Sequence, residues 1–75
     1  MWIIRYCGSW NYKPQAESLS AAMNNAGLTT KIEEGDRGQF ELFKKVEDYE
    51  GTYMKAGHGK FFTLEDVERK LSGLW

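Results

Sequence analysis

Cys7 is the one thiol in the chain, and its neighbourhood is the stretch whose residue types can do covalent chemistry. It stands in Tyr6-Cys7-Gly8-Ser9-Trp10-Asn11-Tyr12, where an apolar run gives way to small and polar residues. A strand followed by Cys-x-x-Cys and a helix is the spacing of a dithiol redox centre, because the second thiol resolves the mixed disulfide made by the first. Here the fourth position is Trp10, so no disulfide can close within the chain. What remains is single-thiol chemistry, in which Cys7 attacks or is oxidised and an external thiol resolves the product. A lone cysteine also has an inert reading, as a small apolar side chain in a core. Trp10 and Tyr12 give the same loop a second use, as an aromatic surface on which a partner docks.

The other chemical candidates are weaker. His58 lies between Gly57 and Gly59, which suits an exposed turn better than a positioned base. Cys7 and His58 are too few soft ligands for a structural zinc site, so no metal is expected. The Gly35–Gly38 loop carries Asp36, precedes a strand and lacks a Gly-Lys-Ser/Thr ending, so it is not a phosphate cradle. Trp10, Tyr12 and Tyr6 with Arg5 and Lys13 would suit stacking on single-stranded nucleic acid. Ten Lys/Arg against eleven Asp/Glu leave a net charge of −1, without the positive excess that phosphate backbones require.

The elements that must position Cys7 are legible from periodicity. Trp2 to Tyr6 predicts a buried strand. Pro14, then Ala16, Leu19, Ala22, Met23 and Ala26 at three-to-four spacing, with Gly27 as the stop, predicts a helix over 14–26. A helix starting there favours a thiolate in the preceding loop, although the surrounding aromatics would desolvate it. Leu28, Thr30 and Ile32 alternate with polar residues and predict a strand over 28–33. Residues 39–45 read as a third strand, Glu47 to Gly51 as an acidic turn, and Thr52 to Lys55 as a fourth strand. Thr63 with Asp66 makes a capping box, Phe62 with Val67 a hydrophobic staple, and Leu64, Val67, Leu71 and Leu74 an apolar stripe, so a second helix follows.

The order β-α-β-β-β-α predicts an α/β fold. Its four-stranded mixed sheet has the first strand central, with two helices packed on it. The helix faces expected to be buried are Leu19, Ala22, Met23 and Ala26 in one and Val67, Leu71 and Leu74 in the other. At 75 residues the chain is one domain of modest stability, so a monomer or weak dimer is expected. Its start has no signal-peptide core and no run approaches a membrane span, which points to the cytoplasm and no membrane.

The whole chain resembles the selenoprotein W-like (SelT/SelW/SelH, or Rdx) family. Its hallmark, Tyr-Cys-Gly-x-(Sec or Cys)-x-Tyr, is matched by Tyr6 to Tyr12. A second block, a glycine-rich turn followed by Gly-x-Phe-Glu-Val, is matched by Gly38-Gln39-Phe40-Glu41-Leu42. A third, strand–Lys–glycine turn–aromatic, is matched by Lys55 to Phe61. The resemblance implies a thioredoxin-like fold and thiol or selenol redox chemistry with glutathione or a client protein thiol, and no bound cofactor. In the selenoprotein members the selenium occupies the position that is Trp10 here, so Cys7 matches the supporting cysteine. The redox-motif loop is then Cys7, Gly8, Ser9 and Trp10, with Cys7 forming a reversible mixed disulfide. The alternative is a non-catalytic interaction module that docks through Trp10 and Tyr12.

Overall fold

The structure, a computed structural model, describes residues 1–57 and 59–73. Its elements are β1 (Trp2–Tyr6), α1 (Lys13–Asn25), β2 (Thr30–Glu34), β3 (Phe40–Val46), β4 (Tyr49–Lys55) and α2 (Leu64–Leu71). The strands form one mixed sheet in the order β2-β1-β3-β4, the expected α/β arrangement with the first strand inside. β1 can be interior because both of its faces are apolar. Trp2, Ile4 and Tyr6 join the core shared with the helices, while Ile3, only 1% exposed, is buried on the opposite face. β2 runs parallel to β1, with Ile32 beside Ile4, and β3 runs antiparallel, with Leu42 beside Ile4.

Helix α1 starts at Lys13, with Pro14 in its first turn, and buries Ala16, Leu19 and Met23. Gly27, at φ +86°, ends it. The N–H groups of Gly27 and Leu28 donate back to the Asn24 and Met23 carbonyls at 3.1 and 2.8 Å, a doubly bonded helix stop. That stop uses up Leu28, so β2 begins at Thr30 rather than at 28. Asn24 then ties the helix end to the strand: its side chain accepts the Thr30 N–H at 2.8 Å and donates to the Thr30 carbonyl at 3.1 Å.

The acidic turn is shorter than the composition suggests. Val46 pairs with Tyr49 and Lys45 with Glu50, which leaves a two-residue turn at Glu47 and Asp48. Glu47, at φ +55°, supplies the left-handed backbone that a tight hairpin demands. β4 therefore starts at Tyr49 and not at Thr52. A bulge opposite Leu42 and Phe43 makes Tyr53 the extra residue, and its ring meets Trp2 edge-on at 4.9 Å. Helix α2 is capped as the residues predict, with the Thr63 N–H donating to Asp66 at 2.9 Å and both staple residues, Phe62 and Val67, buried.

Two expected core residues are not in the core. Leu71 is 45% exposed and Ala26 is exposed as well. Both lie where their helices end, lining with Leu28 and Glu68 a shallow depression that neither helix continues far enough to cover. Ala22 is half-buried; Leu74 and His58 lie outside the described residues.

The sheet face without helices is held by charge. Arg5 reaches Glu33 and Glu50 while its guanidinium lies 4.4 Å from the Phe43 ring centre. Glu33 also takes Lys31 at 3.2 Å. Hydrogen bonds from Lys31, then from Arg5, hold the Glu33 carboxyl below the usual carboxylate range.

Met23→Ala, which empties a fully buried site on α1, is expected to cost about 2–5 kcal/mol in urea denaturation. Leu71→Ala at its exposed site is expected to cost less than about 1 kcal/mol. Equal costs would contradict the packing described. A depressed Glu33 contributes stability above the unfolded carboxylate's pKa of about 4.3, and that contribution disappears as pH falls through the lower folded value. Glu33→Gln should therefore lose less stability than the parent between about pH 5 and pH 3.

Candidate thiol site

Cys7 follows the last residue of β1, and the ladder carries on through it. Its N–H donates to the Gln39 carbonyl at 2.8 Å, so the backbone stays in register with the residue before β3. This pins the thiol inside the apolar cluster with Tyr12, Phe40 and Phe62, and Cys7 is only 1% exposed. Of the four residues of the motif loop, Gly8 is half-buried, while Ser9 and Trp10 are exposed, Trp10 by 38%. The motif thus has an inner end at position 7 and an outer end at position 10.

One tight turn of chain follows the thiol. The Asn11 N–H donates to the Gly8 carbonyl at 3.2 Å and the Tyr12 N–H to the Cys7 carbonyl at 3.1 Å. Asn11 takes φ +59°, a left-handed conformation that asparagine tolerates better than most residues. A Cβ at Gly8 would meet the carboxylate of Glu34, an exposed side chain free to move aside. Tyr12 is the N-cap of α1 but makes no side-chain cap, so its ring packs inward, at 8% exposure, instead of serving the helix end.

An aromatic chain runs from the loop across the molecule. Trp10 meets Tyr12 edge-on at 6.0 Å, Tyr12 meets Phe61 at 4.8 Å, and Phe61 meets Phe40 at 5.1 Å. Phe40 also meets Phe62 at 5.0 Å. Phe61, which the sequence marks only as the aromatic ending the third block, is 41% exposed and belongs to the same aromatic chain. Its signal was two adjacent aromatics just after a glycine-rich turn, but pairing with the Cys7 loop is a long-range fact.

Several expected roles change. Tyr6 and Tyr12 are 7% and 8% exposed, so the stacking platform proposed from Trp10, Tyr12 and Tyr6 is not assembled. Arg5 is committed to Glu33 and Glu50 on the face away from the helices and is not part of such a platform. Among the described residues, no three His, Cys, Asp or Glu side chains are grouped to hold a metal ion. No described helix is long and apolar enough to cross a membrane.

The fold and the loop together define a small α/β domain with one buried thiol at the start of an aromatic-edged turn. No protein-family model, curated protein or solved structure matches the chain.

Because the thiol is covered, alkylation of Cys7 in the folded protein is expected to be at least about a hundredfold slower than in denaturant. Stopped-flow or mass-spectrometric labelling reads this directly. Labelling at the unfolded rate would mean that the sulfur is not covered.

Proposed function

We propose that the chain is a thioredoxin-like redox protein in which Cys7 forms a reversible mixed disulfide with glutathione or a client thiol, after local opening of the turn from Gly8 to Tyr12. The observation that carries this reading is the place of the thiol, at the C-terminal edge of the central strand and at the start of the turn that leads into α1, where open α/β sheets build their sites. Opening the turn from Gly8 to Tyr12 releases Tyr12, the N-cap of α1, from the buried cluster. The resemblance of Tyr6 to Tyr12 to the selenoprotein W-like motif supports the same chemistry.

The step balances with glutathione alone. The Cys7 thiolate attacks one sulfur of oxidised glutathione, the S–S bond breaks, and one glutathione leaves as the thiolate while the other stays bound to Cys7. A reduced glutathione attacking the glutathionyl sulfur regenerates the Cys7 thiolate and oxidised glutathione. The two steps are the forward and reverse of one exchange, and with no second thiol in the chain, reduction of a protein disulfide by this chain alone would stop at the mixed disulfide.

A second reading, docking without catalysis, is favoured by the exposure of Trp10 and Phe61 beside a buried thiol. Intact mass after incubation with oxidised glutathione separates the two. The redox reading expects one glutathione adduct on the folded protein, reversed by reduced glutathione and missing from Cys7→Ser. An adduct obtained only in denaturant would leave docking as the function. The variant Trp10→Cys restores Cys-x-x-Cys spacing and is expected to close an internal disulfide on oxidation, read as a loss of free thiols. A folded variant that keeps both thiols would show that the turn has lost redox geometry.

A further inference from the structure

We propose that the groove between α1 and α2 is a docking site for an amphipathic helix of a partner protein, with an apolar stripe flanked by Lys or Arg. The groove is separate from Cys7, which lines neither of its two hollows.

The groove exists because α2 turns most of its apolar stripe away from the sheet. Val67 is the one buried residue of this helix, while Leu64 is half-buried and Leu71 is exposed. Leu64, Glu68 and Leu71 share one face through their three- and four-residue spacing, and that face is turned toward α1. The first hollow, about 470 Å³, lies between Leu64 and Glu65 on α2 and Gln15, Ser18 and Ala22 on α1, with Phe61 also in its lining. The second, about 400 Å³, follows one turn further along both helices, between Glu68 and Leu71 on one side and Ala26 on the other. Leu64 and Leu71 therefore stand one at each hollow, about two turns or 10 Å apart along their helix. Apolar side chains at i and i+7 of a docked helix match that separation.

The walls choose a helix as the occupant. Both are themselves helices, whose backbone N–H and C=O groups are bonded internally. An extended peptide laid between them would leave its own backbone groups unpaired, whereas a helix brings them already satisfied. On the α1 side Ser18, Ala22 and Ala26 are small, which allows a helix axis to come close.

Charge chooses the kind of helix. Among the described residues, the charged side chains lining the two hollows are Glu65 and Glu68, and none is basic. Glu65 receives Arg69 at 3.1 Å, an exposed pair of the kind that contributes little and yields to another cation. Glu68 belongs to none of the ion pairs of the described residues. A second copy of the chain would set these carboxylates against their own kind, so the charges that favour a basic partner disfavour self-pairing across the groove.

The test uses the full chain, labelled for amide NMR, and three synthetic peptides of about fifteen residues, near the length at which isolated helices begin to form. The first carries Leu at i, i+4 and i+7 with Lys on the flanks. The second has Glu for each Lys, and the third is the first with a central Pro, which breaks the helix. The Lys peptide is expected to shift the amides of Ala22, Ala26, Leu64 and Leu71 and to leave those of Arg5 and Glu33, on the helix-free face, unmoved. It should bind at least about tenfold tighter than the Glu peptide at low salt, with a smaller lead at high salt. The Pro peptide should bind at least about tenfold more weakly than the Lys peptide. Glu65→Lys combined with Glu68→Lys should invert the preference between the Lys and Glu peptides. Leu71→Gln, at a site exposed enough to leave the fold intact, should weaken the Lys peptide by about tenfold.

Equal affinity for the Lys and Glu peptides, shifts centred away from the two hollows, or no shifts with any peptide would overturn the proposal. So would self-association of the chain that Leu71→Gln abolishes, which would give the groove to a second copy. Binding of the Lys peptide only in Trp75→Gly would give it to residues 74 and 75 and overturn the proposal as well. None of these outcomes alters the glutathione adduct expected on Cys7, so the redox reading stands or falls separately.

Discussion

The placement of β1 between a parallel and an antiparallel neighbour is the constraint on which the rest of the structure depends. A strand can occupy that interior position only if both of its faces tolerate burial, and Trp2, Ile3, Ile4 and Tyr6 satisfy this with Arg5 as the one polar exception. Arg5 is accommodated because Glu33 and Glu50, on the two edge strands, converge on its guanidinium. The same ladder explains the thiol. Since the hydrogen bond from Cys7 to Gln39 continues the β1–β3 pairing past the strand end, Cys7 is held in the core and the chain leaves the sheet only at Gly8.

Phe40 is the second point of convergence. Its ring touches Phe61 and Phe62, which lead into α2, while Phe61 in turn touches Tyr12 at the start of α1. The starts of both helices are therefore fastened to one residue of β3 through edge-to-face contacts, a geometry that adds about 0.5–1.5 kcal/mol per pair beyond buried area. In a chain this short such contacts supply packing that a longer chain would draw from more residues. They also explain why Trp10 and Phe61 stay partly exposed: they are the rim of a cluster whose centre is already full.

The two faces of the sheet are stabilised by different physics. The helix-covered face relies on apolar burial and aromatic geometry, whereas the open face carries ion pairs and hydrogen bonds among Arg5, Glu33, Glu41 and Thr52, with Phe43 beside the buried Ile3. Because Glu41 is spent on that open face, Lys55 is left without its cross-strand acid at the end of the sheet nearest Cys7.

What the sequence determined by itself is what local rules govern: the element order, the capping box of Thr63 and Asp66, the stop at Gly27, and a central first strand. Periodicity and caps act within a few residues, so these are readable along the chain. It could not determine where each element ends, because Leu28 is withdrawn from β2 by its bond to Met23, and Tyr49 and Glu50 are drawn into β4 by Val46 and Lys45. The apolar stripe of α2 suggested a buried Leu71, but a stripe gives a direction and not the extent of the surface beneath it. The candidate site divides in the same way. The motif from Cys7 to Tyr12 is contiguous and legible, whereas the burial of its thiol and its contact with Phe61 were decided only by tertiary structure. Each depends on a backbone or side-chain partner more than ten residues away, which no local pattern encodes.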